Sequence, residues 1–510
     1  MKKWVIAVML CVLVGLGIYM FPSSGTPAPK SDAGDESVTL KWMIYGEKYK
    51  ESDVVFSRFN EALREYLPGV QVEFELVSKD DYKEKWDMKM ATNERLDLAW
   101  FGNEVLNYTE EVKKGSLMAL DYLLETAGGD LQKDVSKELW ELQRREGNIY
   151  GMPVLGPLYC RNYVLVANEM LMNRFGDLDE MVRVNQENRY TTEECFRVFE
   201  DFLQKAKDNN AIGTGVSYIS MCRLADKGYE GIYGSDSPFV IPVFEKKLRV
   251  YNKYELESYR ACFETMARWY QKGYIREDVK NLLDPASEDG RLKGSILFLD
   301  EYGEKGTVTD MVKTEYDAVR GELDGYRYIP YDGCRNSLVI PKSALYPQQA
   351  MELVNLLNSD QGKELYRLLA NGVEKQHYII VEGNVIARMS DNDKSYLYQV
   401  SQNVIGNVFR NFETVEGEFR QIEEYNAQAI RSPLQGFNLD TRMIALEMAK
   451  TDLVVEKYKE ELCQGTSQDW EALYDEFIRE MKKAGSEKII EEVQKQIDEF
   501  QKVKHAASAS

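Results

Sequence analysis

Aromatic and polar side chains lie together at the ends of three segments that have the residue pattern of strands. These groups are Tyr45 with Glu47, Trp100 with Asn103, and the run Asp300, Glu301 and Tyr302. An aromatic face can stack on a ligand, and a carboxylate or amide can bond to its hydroxyls. The simpler alternative is that each group occupies an exposed turn, or that Trp100 belongs to the core. The sequence leaves both alternatives open.

Catalytic and metal-binding chemistry is restricted by the residue types present. Because the chain has two histidines, His377 and His505, a histidine metal cluster is disfavoured and a Ser-His-Asp triad depends on His377. The seven cysteines form no C-x-x-C pair, and neither a P-loop nor a G-x-G-x-x-G motif occurs. We therefore expect no metal, no cofactor and no catalytic residue. Paired carboxylates such as Asp300 with Glu47 keep a glycan-processing enzyme as an alternative.

The elements that position the first two groups follow a β-α-β-α-β pattern. The segments VTLKWMIYG, GVQVEFELV and LDLAWFG have the character of strands, and helical spacing separates them. This order predicts a parallel sheet with right-handed crossovers. In such sheets ligands bind outside the carboxyl ends of the strands, which is where Tyr45, Glu47, Trp100 and Asn103 lie.

The rest of the chain has a mixed α/β pattern that becomes helical over the last hundred residues. Two apolar stripes at helical spacing are separated by Ala484-Gly485-Ser486. The stripes are Trp470, Leu473, Phe477 and Met481, then Ile489, Val493, Ile497 and Phe500. We interpret both as packing faces of the core.

The N-terminus has the pattern of an export signal or membrane anchor. Lys2 and Lys3 precede the uncharged run Trp4–Phe21, whose 18 residues would span roughly 27 Å as a helix. Leu10 stands where a lipoprotein signal needs a small residue, so we interpret Cys11 as an apolar residue of the run. Residues 22–37 have the composition of a flexible tether, with cleavage after Gly25 as an alternative. Everything beyond residue 22 is then expected outside the cytoplasm.

The charge balance restricts the partners. A formal net charge of −21 disfavours nucleic acid and anionic membrane surfaces. It mildly favours neutral or cationic ligands, although a global charge says little about one cleft.

Four motifs, in order, resemble a known family. They are GNIYGMP at 147–153, VLVANEML at 164–171, the box G-x-E-x-x-H-Y at 372–378, and SPLQGFNLDTRMIALEMAK at 432–450. Together they resemble the extracellular solute-binding proteins of carbohydrate-type ABC importers, in the LipO-like lipoprotein subfamily. The chain departs from that family by lacking a lipoprotein signal, which favours a peptide anchor.

The resemblance implies an α/β fold of the periplasmic-binding-protein type (type II-like), with two α/β lobes, a hinge and a helical C-terminal region. The implied divisions are a signal or anchor at 1–21, a tether at 22–37, lobe I at 38–157 plus 336–382, lobe II at 158–335 plus 383–505, and a tail at 506–510. The implied crossings between lobes are 156–160, 333–337 and 378–384.

The resemblance also implies a function. The chain would be a monomeric, membrane-tethered binding protein that captures an oligosaccharide and delivers it to the transmembrane subunits of an ABC permease. It adds Tyr159, near the first crossing, and Phe437, in SPLQGF, to the expected ligand contacts, and it assigns His377 to hinge structure. The same fold binding a peptide or another small polar solute, or serving a sensor, remains an alternative.

Overall fold

A parallel sheet begins the fold, as the sequence predicts. In this computed structural model, β1 (Val38–Tyr45), β2 (Val70–Val77) and β3 (Leu98–Gly102) are joined by α1 (Ser52–Leu63) and α2 (Lys79–Thr92). Strand β1 pairs in parallel with both β2 and β3, which confirms the β-α-β-α-β order. The structure describes residues 37–102, 105–145, 147–159, 163–213, 215–234, 236–282, 295–300, 317–331, 336–389, 396 and 405–508.

Short helices and strands then lead to the first predicted crossing. They are α3 (Tyr108–Lys114), α4 (Asp121–Ala127), α5 (Gly129–Asp134), α6 (Lys137–Gln143), β4 (Arg144–Arg145), β5 (Asn148–Ile149) and β6 (Gly151–Pro153).

The middle of the chain forms two small antiparallel sheets packed by helices. Its elements are β7 (Val164–Asn168), α7 (Glu169–Phe175), α8 (Leu178–Glu187), α9 (Glu193–Asp208), α10 (Tyr218–Cys222), β8 (Tyr229–Gly231), β9 (Phe239–Pro242), β10 (Tyr251–Asn252), α11 (Glu257–Gln271), β11 (Leu297–Asp300), β12 (Ala318–Glu322) and β13 (Tyr328–Ile329). The sheets have the strand orders β11-β7-β12 and β10-β9-β8.

The chain then returns to the first sheet before its C-terminal helices. These elements are β14 (Asn336–Val339), α12 (Pro347–Asn358), α13 (Lys363–Asn371), β15 (Tyr378–Glu382), β16 (Val385–Arg388), α14 (Glu418–Gln428), β17 (Ile430–Arg431), α15 (Ala445–Gln464), α16 (Trp470–Ala484) and α17 (Ser486–Ser508). Strand β14 joins the first sheet antiparallel to β3, giving the order β2-β1-β3-β14-β6.

Three large hydrophobic cores organise the described elements, and a small fourth cluster consists of Tyr378, Ile386 and Phe412. The first core surrounds the five-stranded sheet, and because helices cover both of its faces, the neighbours Trp42, Met43 and Ile44 are all fully buried. The second core lies among α9, α11 and the sheet around β7. The third core, which includes Ile232, Phe239 and Phe437, packs against the last helix.

The two C-terminal stripes serve different cores. Phe477 and Met481 of α16 are buried in the second core, whereas Ile489 and Val493 of α17 are buried in the third. The expectation that both stripes are packing faces is confirmed. One glycine, Gly485, has a φ of 107° and ends α16, which allows the chain to turn from one core to the other.

Packing against the first core continues past residue 382. Ile405 is fully buried in that core and Phe409 packs on it, although the sequence analysis assigned this stretch to lobe II. On either side of the first predicted crossing, Leu155 belongs to the first core and Leu165 to the second. At the second predicted crossing, the chain passes from Ile329 in β13 to β14 of the first sheet. The lobe boundaries stay a prediction. Across the described ranges, no helix is long and apolar enough to span a membrane, and the predicted anchor at 1–21, with Cys11, lies outside them.

Candidate functional site

A cavity opens between the first core and the third core, and we call it the cleft. Its volume is about 1000 Å³, including space that is open to solvent. The first-core wall consists of Phe101, Asn107, Tyr108, Thr109, Leu142, Gln143, Arg145 and Ser337. The opposite wall consists of Tyr233, Gly234, Tyr331, Gly436, Phe437, Asn438, Leu439 and Thr441. The lining is therefore a mixture of aromatic rings, amides and hydroxyls.

Gln143, the last residue of α6, organises the first-core wall. Its side-chain oxygen accepts a hydrogen bond of 3.0 Å from the Ser337 hydroxyl, and its backbone carbonyl accepts one of 2.8 Å from the Tyr108 hydroxyl. A Cβ at Gly151 would lie 2.5 Å from the same side-chain oxygen. The glycine of the GNIYGMP motif thus makes room for the amide that holds this wall in place.

Arg145 places a positive charge in the first-core wall. Its Nε donates to the Thr109 hydroxyl at 3.0 Å, and its Nη1 donates to the backbone carbonyls of Leu142 and Arg144, each at 2.8 Å. The guanidinium carbon lies 5.1 Å from the centre of the Tyr108 ring. Burial lowers the pKa of Arg145, because a guanidinium removed from water is less well solvated.

A buried carboxylate organises the opposite wall. Glu230 accepts hydrogen bonds from the Tyr331 backbone N–H at 2.6 Å and from the Ser432 hydroxyl at 2.7 Å. The Tyr331 hydroxyl donates to the backbone carbonyl of Ile232, so both ends of this residue are fixed. The Tyr331 ring lies 6.4 Å from that of Phe437, at an interplanar angle of 62°. The Tyr331 ring is thereby held at the cleft, and Phe437, which is only 4% exposed, lines the same wall from the third core.

One hydrogen bond joins the two walls directly. The Thr109 hydroxyl donates to the side-chain oxygen of Asn438 at 2.8 Å while it accepts from Arg145. The series Arg145, Thr109 and Asn438 therefore crosses the cleft. The arrangement can hold a polar ligand between aromatic faces, with an arginine, amides and hydroxyls as hydrogen-bonding groups.

The structure packs Tyr45 against Trp100, outside the residues that line this cleft. Their rings are stacked, with centres 4.7 Å apart, and Trp100 is only 1% exposed. Gly102 accommodates the indole, since a Cβ there would lie 2.2 Å from the Trp100 ring. Glu47 is exposed. A ligand at this strand edge would meet Tyr45 before Trp100, so any contact of the ligand with Trp100 would be indirect. The predicted contacts of Tyr45 and Glu47 stay predictions.

The remaining predicted contacts are distributed over three places. Phe437 lines the cleft. Tyr159 is half-buried, with its ring 5.5 Å from that of Tyr425 at an interplanar angle of 86°. Asp300 is the last residue of β11, and its side chain lies outside the described residues, as do Asn103, Glu301 and Tyr302.

The sequence analysis missed several residues that the structure brings to the cleft. The most prominent are Arg145, Tyr108, Tyr331 and Asn438. Sequence position could have indicated two of them. Arg145 lies just before the GNIYGMP motif, and Tyr331 lies just before the second predicted crossing. Most of the predicted contacts lie at strand ends, whereas residues that flank the predicted crossings line this space.

Among the described residues, no group of three or more His, Cys, Asp or Glu side chains could hold a metal ion. The four described cysteines are free and buried, namely Cys195, Cys222, Cys262 and Cys463.

Comparisons with known proteins show the fold. A family model described as a domain of unknown function (DUF3502) matches residues 433–502. A relative from Streptococcus pneumoniae serotype 4, described as a carbohydrate ABC transporter substrate-binding protein, is 23% identical over 511 residues, which cover 99% of each chain.

Two solved structures are similar over most of this chain. The crystal structure of the N-glycan transport solute binding protein NgtS from Streptococcus pneumoniae has a TM-score of 0.74 at 22% identity, covering 91% of this chain and 99% of that one. The same protein in complex with Man1GlcNAc has a TM-score of 0.67 at 21% identity, with the same coverage. The expected solute-binding-protein fold is thereby confirmed.

Proposed function

We propose that this chain, which has the fold of solute-binding proteins, captures a carbohydrate outside the cytoplasm for an ABC importer. The observation that carries the proposal is the cleft, in which the rings of Tyr331 and Phe437 stand opposite the hydroxyls and amides of the first-core wall. Aromatic faces pack on the C–H faces of sugars, and amides and hydroxyls bond to their hydroxyl groups.

The openness of the cleft favours an oligosaccharide. Because its space of about 1000 Å³ includes a part that is open to solvent, a ligand longer than one sugar unit need not fit wholly inside it. Tyr45, the last residue of β1, and Glu47, just after it, stay proposed contacts of a longer ligand. The 23%-identical relative, described as a carbohydrate ABC transporter substrate-binding protein, supports this class of ligand.

The proposed partners are an ABC permease and the membrane. A binding protein without catalytic residues would deliver its ligand to the transmembrane subunits of a permease after its lobes close. The apolar run Trp4–Phe21 would tether it to the outer face of the membrane, and the chain would act as a monomer. No chemical step is part of this function.

A saccharide screen tests the proposal. Mono- and oligosaccharides are added to the purified protein, and the melting temperature is measured, with peptides and polyamines as the other ligand classes. Because a ligand at 100 times its Kd adds about 2.7 kcal/mol to the unfolding free energy, one saccharide class should raise the melting temperature by a few degrees. A shift with peptides or amines alone would contradict the carbohydrate proposal.

A matched pair of variants then tests the cleft. Phe437→Leu keeps an apolar side chain but removes the ring, and we expect it to weaken saccharide binding about tenfold. Phe500→Leu is the control, because Phe500 lies 5.5 Å from Phe437 in the same core but outside the cleft lining. Calorimetric titration measures both affinities. Equal losses in the two variants would contradict a direct role for Phe437.

A further inference from the structure

Arg145 is a charged residue in a lining that is otherwise neutral. Of the described residues around the cleft, it alone carries a charge, although the chain as a whole has a net charge of −21. The acidic residues that dominate the composition are absent from this described lining. The charge of the described lining therefore has the opposite sign to the net charge of the chain.

The guanidinium is held in place without an anionic partner among the described residues. Nε and Nη1 donate to Thr109 and to the backbone at the end of α6, and the ring of Tyr108 lies alongside. Over the described part of the chain, no carboxylate oxygen lies within 4 Å of Arg145, and Nη2 makes no hydrogen bond to these residues. The orientation of the side chain is fixed by neutral groups, and the N–H groups of Nη2 are left for a ligand.

A partly buried cation of this kind favours an anion. Removing a charge from water is costly unless an opposite charge accompanies it, and a hydrogen bond from a guanidinium to a carboxylate is shorter and stronger than one between neutral groups. A neutral hydroxyl could accept one hydrogen bond from Nη2, but it would leave the charge uncompensated. A carboxylate supplies both the hydrogen bond and the charge.

We infer that the cleft takes an acidic saccharide whose carboxylate pairs with Arg145. This inference rests on the proposed capture of a carbohydrate and specifies its chemical class. It differs from the mild preference for neutral or cationic ligands that the global charge suggests, because the ligand contacts the cleft and not the average surface.

The test uses pairs of saccharides that differ at one group. Oligosaccharides containing a uronate residue are titrated in parallel with their carboxyl-reduced forms, in which the carboxylate has become a neutral hydroxymethyl group. Calorimetry on the unmodified protein should show the acidic member of a pair binding at least tenfold more tightly. This comparison requires no variant and is therefore independent of any effect on folding.

Two variants then assign the preference to one residue. In Arg145→Gln the affinities for the two members should agree within about twofold, while Arg145→Lys should retain part of the preference. Arg144→Gln is the matched control, since Arg144 pairs with Glu141 and Asp121 and lies outside the cleft lining. It should keep the full preference.

Each outcome supports or overturns a separate claim. Equal binding of both members by the unmodified protein overturns the acidic ligand and leaves carbohydrate capture intact. A preference that survives in Arg145→Gln overturns the role of Arg145. If no saccharide of either kind binds, the proposed function fails, and this inference fails with it.

Discussion

Two arginines in this protein have similar surroundings but different partners. Arg145 in the cleft lies 5.1 Å from the centre of the Tyr108 ring, and Arg327, beyond β12, lies 4.2 Å from that of Tyr425. Arg327 donates through two nitrogens to Glu322. Although burial opposes the charge of Arg327, the bonds to Glu322 raise its pKa, whereas the pKa of Arg145 is lowered by burial.

The difference indicates which arginine is structural and which is available to a ligand. For Arg327, the protein itself supplies both the aromatic ring, from Tyr425, and the carboxylate that balances the charge, from Glu322. In Arg145 the described residues supply the ring and neutral acceptors, and the anion is left to come from outside. An arginine packed against a tyrosine ring is therefore not a binding site by itself. A neighbouring carboxylate of the protein marks a structural arginine, and its absence marks one that can bind a ligand.

The largest effect is expected from breaking the complete pair. Arg327→Met leaves Glu322 partly buried without its cation, and we expect the unfolding free energy to fall by about 3 kcal/mol. Arg145→Gln should cost only about 1 kcal/mol, because it removes hydrogen bonds to neutral groups. Urea unfolding measures both. Equal losses would remove the distinction between the two arginines.

A pH effect of intermediate size is expected beside Arg327. Asp324 accepts a hydrogen bond from the Tyr163 backbone N–H at 3.0 Å, and burial, assisted by the charge of Glu322, raises its pKa to about 8 despite Lys227 and Arg327 nearby. A carboxyl whose folded pKa is raised loses stability as the pH rises from its unfolded pKa, near 4, toward 8. Between pH 6 and pH 8 the loss should be about 2 kcal/mol.

Asp324→Asn removes this dependence while it keeps an oxygen that can accept from Tyr163. The variant should therefore gain stability relative to the unmodified protein as the pH rises, by urea unfolding at pH 6, 7 and 8. Asp179→Asn, at an exposed position in α8, is the control and should show no such trend. Parallel pH profiles for the unmodified protein and Asp324→Asn would contradict the assignment.

The smallest effect concerns the hydrogen bond across the cleft. Thr109→Val removes two hydrogen bonds, the one donated to Asn438 and the one accepted from Arg145. Because only part of their net stabilisation supports the ligand site, we expect saccharide affinity to fall about fivefold, or about 1 kcal/mol. Thr126→Val, on α4 and outside the cleft lining, is the control. An unchanged affinity in Thr109→Val would mean that this bond does not assist ligand capture.

The fold could be predicted because its signals are local. Alternation in β1, β2 and β3, with helical spacing between them, determined the parallel sheet. The stripes of α16 and α17 were also visible, but their assignment to two different cores was not, since it depends on the turn at Gly485 and on long-range packing.

The candidate site could be predicted only in part. Phe437 is a predicted contact and lines the cleft at 4% exposure, whereas Trp100 is a predicted contact that is buried beneath Tyr45 and lies outside the cleft lining. Residue type and strand position do not reveal whether two rings stack on each other or face a space. Arg145 and Tyr331 come together from positions almost two hundred residues apart, and the sequence contains no periodic signal for such a contact.

We propose that a saccharide binds between the Arg145 wall and the wall of Tyr331 and Phe437. A crystal structure of the protein with the tightest-binding saccharide from the screen tests this placement. We expect a sugar ring packed on Tyr331 or Phe437, with an oxygen of the ligand within hydrogen-bond distance of Arg145. A saccharide bound elsewhere, with this cleft left to solvent, would contradict it.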